Sequence, residues 1–322
     1  MTETQKKNTL KTAGCALAVI TVVGIALITL SILFYPKDNR KSFGMVDTAA
    51  NGIMGERSNS IDVVFIGDSE AYSSISPMQM WKKRGFTSYV CATSGQQLPH
   101  SNTLLHRATL DQSPRIVVIE TNAIYRKFSP ANSLFRTLQD VLPIFEYHDR
   151  WKSLSLEDFT TNIMTTYSHS LKGFRIKKDV KAARPSGHMA PSGRVQKIRL
   201  LNKLYLQLMI DHCRSIGAEP LLVSTPSTIN WNTARHNGIK AFAKEMGVKY
   251  LDLNTMPTKV DIDWSTDTRD GGDHLNLSGA TKVSDYLSDH LARFYKLPDH
   301  RHDAAYAKWN RLLKRYEKRI LE

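Results

Sequence analysis

Three textures of apolar and polar positions follow one another along this chain. Residues 13–35 read AGCALAVITVVGIALITLSILFY, without a single charge. About 20 apolar residues suffice for a helix to cross the hydrocarbon of a bilayer, so this run predicts a membrane span. From residue 61, short runs of nearly continuous apolar residues alternate with longer amphipathic stretches. The runs 61–66, 87–91, 115–120, 220–224 and 248–253 predict strands. Helical periodicity predicts helices from Ser76-Pro77, over 98–110, 195–216, 233–246 and 277–294, several closed by glycine. Strands apolar on both sides and separated by helices predict a doubly wound, flavodoxin-like α/β domain with a five-stranded parallel sheet.

The third texture is polar. Residues 1–12 form a short tail taken as cytoplasmic, 36–60 read as a linker, and 61–295 form the domain. Residues 123–194 break its rhythm and read as an insertion, part helical and part mobile, rich in Pro, Ser and Gly near its end. Residues 296–322 end in a basic helix with Trp309, Leu312, Tyr316 and Ile320 on one face, expected to pack on its own domain. There is no internal repeat.

The anchor reads as uncleaved, because Phe34, Tyr35, Pro36 and Lys37 follow the apolar run where a small-residue cleavage site would stand. Cys15 precedes the run, which argues against lipoprotein processing. Lys6, Lys7 and Lys11 before the span balance Lys37, Arg40 and Lys41 after it, so the charges alone leave its orientation open.

Composition changes the picture in two ways. The formal charge of +14 attracts nucleic acid, anionic lipid or anionic polymer. Nucleic acid ranks last, since the chain carries no zinc-ligand spacing, stacking motif or recognition helix. Three cysteines, Cys15, Cys91 and Cys213, make no disulfide framework, and the latter two read as buried thiols, with a Cys91–Cys213 bridge as the alternative. Nothing indicates a metal or organic cofactor.

Function in open parallel sheets gathers at the carboxyl ends of the strands. Ser69 follows the first strand, Gly95 the second, Asn122 the third, and His274 the fifth. Each alone is weak evidence, because Gly-Asp-Ser after a strand is often only a turn. Together they supply a hydroxyl nucleophile, an imidazole to take its proton, and donors for an oxyanion.

Gly67-Asp68-Ser69, Ser94-Gly95, Glu120-Thr121-Asn122 and Asp273-His274-Leu275-Asn276 resemble the four blocks of the SGNH, or GDSL, hydrolase superfamily. The last block, Asp270-Gly-Gly-Asp-His-Leu-Asn-Leu-Ser-Gly-Ala, is the most specific. With the anchor, the chain is similar to membrane-tethered members that work beside membrane-bound O-acyltransferases, the teichoic acid D-alanylation protein among them. The resemblance implies the SGNH hydrolase fold, Ser69 as nucleophile and His274 as base. It implies an oxyanion hole of the Ser69 and Gly95 backbone N–H groups and the Asn122 side chain. An aspartate would fix the tautomer of His274. The family places it three residues before the histidine, where this chain has Gly271. Asp270 and Asp273 both stand open for the role, with a slight lean to Asp270. Glu70 replaces the family's leucine.

The resemblance implies a serine O-acyl esterase or acyltransferase, anchored in the cell membrane with its domain outside the cytoplasm. Its substrate would be an acylated glycan or anionic polymer of the envelope. A lipase or thioesterase, or a catalytically idle partner of a membrane O-acyltransferase, are the alternatives.

Overall fold

The computed structural model describes every residue except Met1, Thr161 and Ser186. In chain order the elements are α1 (Glu3–Phe34), α2 (Thr48–Asn51), β1 (Val63–Gly67), α3 (Ser69–Ser74), α4 (Pro77–Arg84), β2 (Ser88–Ala92), α5 (Leu98–Ala108) and β3 (Ile116–Glu120). There follow α6 (Pro130–Val141), α7 (Ile144–Tyr147), α8 (Glu157–Thr160), α9 (Leu200–Ser215), β4 (Glu219–Ser224), α10 (Thr233–Met246), β5 (Lys249–Asp252), α11 (Leu277–Tyr295) and α12 (Ala307–Leu321). All five strands are parallel, in the order β2-β1-β3-β4-β5. This is the expected doubly wound, flavodoxin-like sheet.

The strands are mostly apolar because successive residues serve two cores. Val64, Ile66, Val117, Ile119 and Leu222 face one core, packed with α5, α9, α10 and α12. Val63, Phe65, Val118, Leu221 and Val223 face the other, packed with α3 and α11. Side chains alternate across a strand, so a sheet covered on both faces needs apolar residues at every position.

Residues 36–60, expected to be a linker, are instead folded onto the domain. Lys37, Asp38, Asn39, Asn51 and Glu56 are buried there, and Tyr89 of β2 donates its hydroxyl to Ala49 O at 2.8 Å. Polarity misled here because the buried polar groups are paired. The Lys172 ammonium lies 2.6 Å from Glu56, with side-chain exposures of 0% and 3%.

The insertion contains α6, α7 and α8, and its later half runs extended along the strand ends rather than free of them. Arg175 N–H donates to Tyr72 O, Leu277 N–H to Lys177 O, Lys181 N–H to Thr268 O and Ala183 N–H to Trp264 O. The helix expected from residue 195 begins at Leu200, since Gln196 N–H is drawn onto Ala234 O. Cys91 and Cys213 are free, buried thiols, and burial pushes the Cys213 thiol up to about 12. The tail helix α12 buries Trp309, Leu312 and Tyr316, with Trp309 5.2 Å from Trp81 between ring centroids. Among the described residues, α1 is the one helix long and apolar enough to cross a membrane.

Candidate active site

The order of strands about β1 assembles the site. Strand β1 lies between β2 and β3, and the crossovers leave in opposite directions at this point. The loops after the three strands therefore converge on a cleft, which brings Ser69, Gly95 and Asn122 to one sheet edge. Ser69 opens α3 and is buried, 5% exposed. A Cβ on Gly67 would meet Glu120 Cβ at 2.7 Å and Ala71 Cβ at 2.8 Å, so only glycine permits this close turn from β1 into α3. Gln96 pins the next loop, its Oε1 accepting from Thr93 N–H at 2.9 Å, and Gly95 faces open space.

Helix α11 packs against α3 and α4, and its N-terminal loop delivers His274. Asn276 caps that helix, accepting from Ser278 N–H and Gly279 N–H. Gly271 and Gly272 take φ of +82° and +95°, a backbone course that side chains with a Cβ rarely follow. This double turn folds Asp270 back over the loop. Its Oδ1 accepts His274 N–H at 2.7 Å and its Oδ2 lies 2.7 Å from His274 Nδ1. Asp273 Oδ2 is farther from the same nitrogen, at 3.5 Å. The structure thus pairs His274 with Asp270 across Gly271 and Gly272. With Asp270 accepting at Nδ1, the ring proton belongs there, and Nε2 carries the lone pair. His274 Nε2 is buried and has no partner, so no hydrogen bond joins it to Ser69 among the described residues.

Several contributors were not singled out from sequence. Asp68 is fully buried, and its Oδ2 accepts from Asn122 Nδ2 at 2.9 Å and from Arg126 Nε at 2.5 Å. It thereby orients the Asn122 amide and leaves that nitrogen a second hydrogen. Arg235 donates to Asn122 Oδ1 at 3.2 Å and to Asn230 O. Asn230 Nδ2 donates to Glu70 Oε1 at 2.7 Å and to Asp273 Oδ1. Arg126 lies four residues beyond Asn122, where a basic side chain could have been noticed. Arg235 and Asn230 come from the segment after β4, which carries no motif.

Burial, with Asp68 and Glu120 nearby, holds the Glu70 carboxyl well above its usual range. Burial and Asp68 do the same to Glu120, whose carboxylate accepts Asn122 N–H at 3.1 Å. Glu70, Asp273 and His274 bring one possible metal-ligand atom each within 4.8 Å of one another. Asn230 Nδ2 donates to one oxygen of each carboxyl group, while Glu70 Oε2 is buried without a partner among the described residues. A cavity of about 450 Å³ opens beside the end of β2, lined by Thr93, Thr48, Lys41 and Arg175 among others.

Neither a protein-family model nor a curated protein matches this chain. Solved structures do. A lipase/acylhydrolase from Enterococcus faecalis matches at 12% identity and a TM-score of 0.40, over 74% of this chain and 98% of its own. A psychrotrophic esterase from Pseudoalteromonas matches at 11% identity and 0.38, over 73% and 98%. An acetyl xylan esterase matches at 13% identity and 0.39, over 72% and 100%. At such values, function must be read from the geometry of Ser69, Asn122, Asp270 and His274.

Proposed function

We propose that this chain is a membrane-anchored serine O-acyl esterase or acyltransferase, of the SGNH type, acting outside the cytoplasm on an acylated envelope glycan or anionic polymer. One observation carries the reading. A histidine with Nδ1 held by Asp270 and an unpartnered Nε2 accompanies a strand-end serine and an oriented asparagine amide at one sheet edge.

Ser69 Oγ attacks the ester carbonyl carbon while His274 Nε2 takes its proton. The carbonyl oxygen becomes an oxyanion, received by the Ser69 and Gly95 backbone N–H groups and Asn122 Nδ2. Collapse breaks the ester C–O bond, and the leaving alkoxide takes the proton from His274. Water or a sugar hydroxyl then attacks the acyl-serine, giving its proton to His274, which returns it to Ser69 Oγ.

The anchor reading is supported by the end of α1. Ser31 and Phe34 are buried against the domain, Arg150 donates to Phe34 O and Tyr35 O, and Lys37 Nζ donates to Ile32 O at 2.9 Å. A leader removed after export has no reason to be built into the fold. The anionic-polymer reading is supported by the charge of +14, by Arg126 and Arg235 beside Asn122, and by Lys41 and Arg175 lining the cavity beside β2. A membrane O-acyltransferase would be the fitting partner.

The test is turnover of small acetyl esters by the full chain in detergent, with fluorophosphonate labelling. Wild type should hydrolyse the ester and take the label, and Ser69→Ala should do neither while melting at the same temperature. Full activity in Ser69→Ala would end the serine mechanism. An inert, unlabelled wild type would favour the idle-partner alternative.

A further inference from the structure

The base of α1 is clasped by the domain. Its last turn packs on α7, on the turn His148–Lys152 and on α8. Ile144 N–H donates to Ser31 Oγ at 3.3 Å, Arg150 reaches Phe34 O at 2.8 Å, and Met164 N–H donates to Lys37 O at 2.7 Å. Arg150 is itself fixed by Asp158 at 2.5 Å. The clasp cannot swing away from the helix without breaking this buried network.

Its outer surface exposes a set of large apolar side chains, interleaved with polar ones such as His148, Asp149 and Lys152. Val141 is 70% exposed, Trp151 65%, Leu156 84%, Phe159 65% and Ile163 56%. Single exposed apolar residues need no explanation, but a group of large ones on one short stretch marks a contact surface. The group is also continuous with α1. An apolar groove of about 280 Å³ runs between them, lined by Ile28, Ile32 and Tyr35 of the helix side and Val141, Leu142 and Ile163 of the clasp. Through this groove the apolar surface of the helix is continuous with that of the domain.

We infer that residues 141–160 and 162–164 form a collar seated in the acyl–headgroup boundary of the bilayer, with Val141, Trp151, Leu156, Phe159 and Ile163 entering lipid. The inference rests on α1 being a membrane anchor. Lipid is the occupant because the groove opens from the surface of α1 that lipid would already cover. Tryptophan and large aliphatic side chains suit that depth, where one end is apolar and the other wet. The collar holds the domain at a fixed tilt, so the cleft at Ser69 works at a constant height over the membrane.

The full chain, reconstituted into phosphatidylcholine vesicles with and without brominated acyl chains, tests this. Of the other four tryptophans, Trp81, Trp231 and Trp309 are buried in the domain, with 0%, 2% and 3% exposure, and Trp264 is half-buried against His188, so Trp151→Phe reads the background that these four leave. Brominated lipid should quench the wild type, and Trp151→Phe should remove the quenched component. Leu156→Ser with Phe159→Ser should return Trp151 emission to that of a water-exposed indole. Flotation after an alkaline wash separates the two readings. A chain that floats with unquenched Trp151 overturns the collar alone. A chain that fails to float overturns the anchor and the collar together.

Discussion

Asp270 holds His274 twice, its Oδ1 accepting the histidine's own backbone N–H and its Oδ2 sitting 2.7 Å from ring Nδ1. One carboxylate therefore fixes both the position of the residue and the tautomer of its ring. Asp270→Asn would place an amide against Nδ1 and favour the wrong tautomer. We expect kcat to fall by about 10⁴, the loss known when a triad aspartate becomes asparagine. Asp273 lies 3.5 Å away and is engaged by Asn230, so Asp273→Asn should be far milder. Steady-state kinetics showing the reverse order would move the orienting role to Asp273.

The Glu70 carboxyl predicts a pH dependence of stability. Burial, then Asp68 and Glu120, raise its folded pKa well above the unfolded value. The folded state then holds a proton that the unfolded state has released. Stability from this group is complete below the unfolded pKa, near about 4.3, and is lost as pH rises through the raised folded value. Glu70→Gln cannot ionise and still offers Asn230 an acceptor. Its melting temperature should match wild type near pH 4 and exceed it at neutral and alkaline pH. Parallel melting curves across that range would remove Glu70 from the balance. Glu120, raised by burial and Asp68, should leave a residual slope in the variant.

Asn122 tests the oxyanion assignment. Asp68 and Arg235 hold its amide at both ends, at 2.9 and 3.2 Å, so the group is oriented before any substrate arrives. Asn122→Ala should lower kcat by about 10²–10³ with little change in KM, the usual effect of losing one such donor. Asp68→Asn should give part of that loss by loosening the amide. A variant that changes KM alone would make Asn122 a substrate-binding residue.

Much of this was legible in the sequence because the buried positions of β1 to β5 serve two cores and are mostly apolar. Helix α10 runs as expected from Thr233 to Met246, between the Asn232 cap and Gly247. The strand-end positions of Ser69, Gly95, Asn122 and His274 followed from the same alternation. The choice between Asp270 and Asp273 leaned only slightly to Asp270, since it depended on the φ angles of Gly271 and Gly272 rather than on residue type. Residues 36–60 were misread because Asp38, Asn39 and Glu56 are polar, and only tertiary partners such as Tyr167, Thr166 and Lys172 make their burial affordable. Asn230 and Arg235 reach the site from a segment whose sequence announces nothing.

The Lys172–Glu56 pair joins the residues after α1 to the insertion, and the ammonium also lies 4.6 Å from the Trp309 ring of α12. Burial lowers the Lys172 pKa, and Glu56 opposes that shift. Lys172→Met alone leaves a buried carboxylate without its cation and should cost about 3–5 kcal/mol. Adding Glu56→Gln should recover much of the loss, which denaturant melts of the two variants would show. Equal destabilisation by single and double variants would mean that the lysine acts through packing on Trp309 rather than through charge.

The placement of the domain can be predicted from how the charges beside α1 are used. Lys37 Nζ is turned back onto Ile32 O, and Arg40 is paired with Asp38 at 3.3 Å. Lys6, Lys7 and Lys11 are exposed and enter no ion pair of the described residues, so three free basic residues precede the span against Lys41 alone after it. Free lysines and arginines favour the cytoplasmic side, so the amino terminus should stay inside and the domain outside. A reporter that is active only after export, fused after Glu322, should therefore be active in cells. External protease, applied after wall removal where a wall is present, should reach the domain. The exposed stretch 190–194 should be cut early, whereas the junction around Phe34 and Lys37 is buried and should resist. The surviving membrane fragment should thus contain α1 together with the residues clasping its base. A domain fully protected in intact cells would place it in the cytoplasm, and no envelope polymer could then be its substrate.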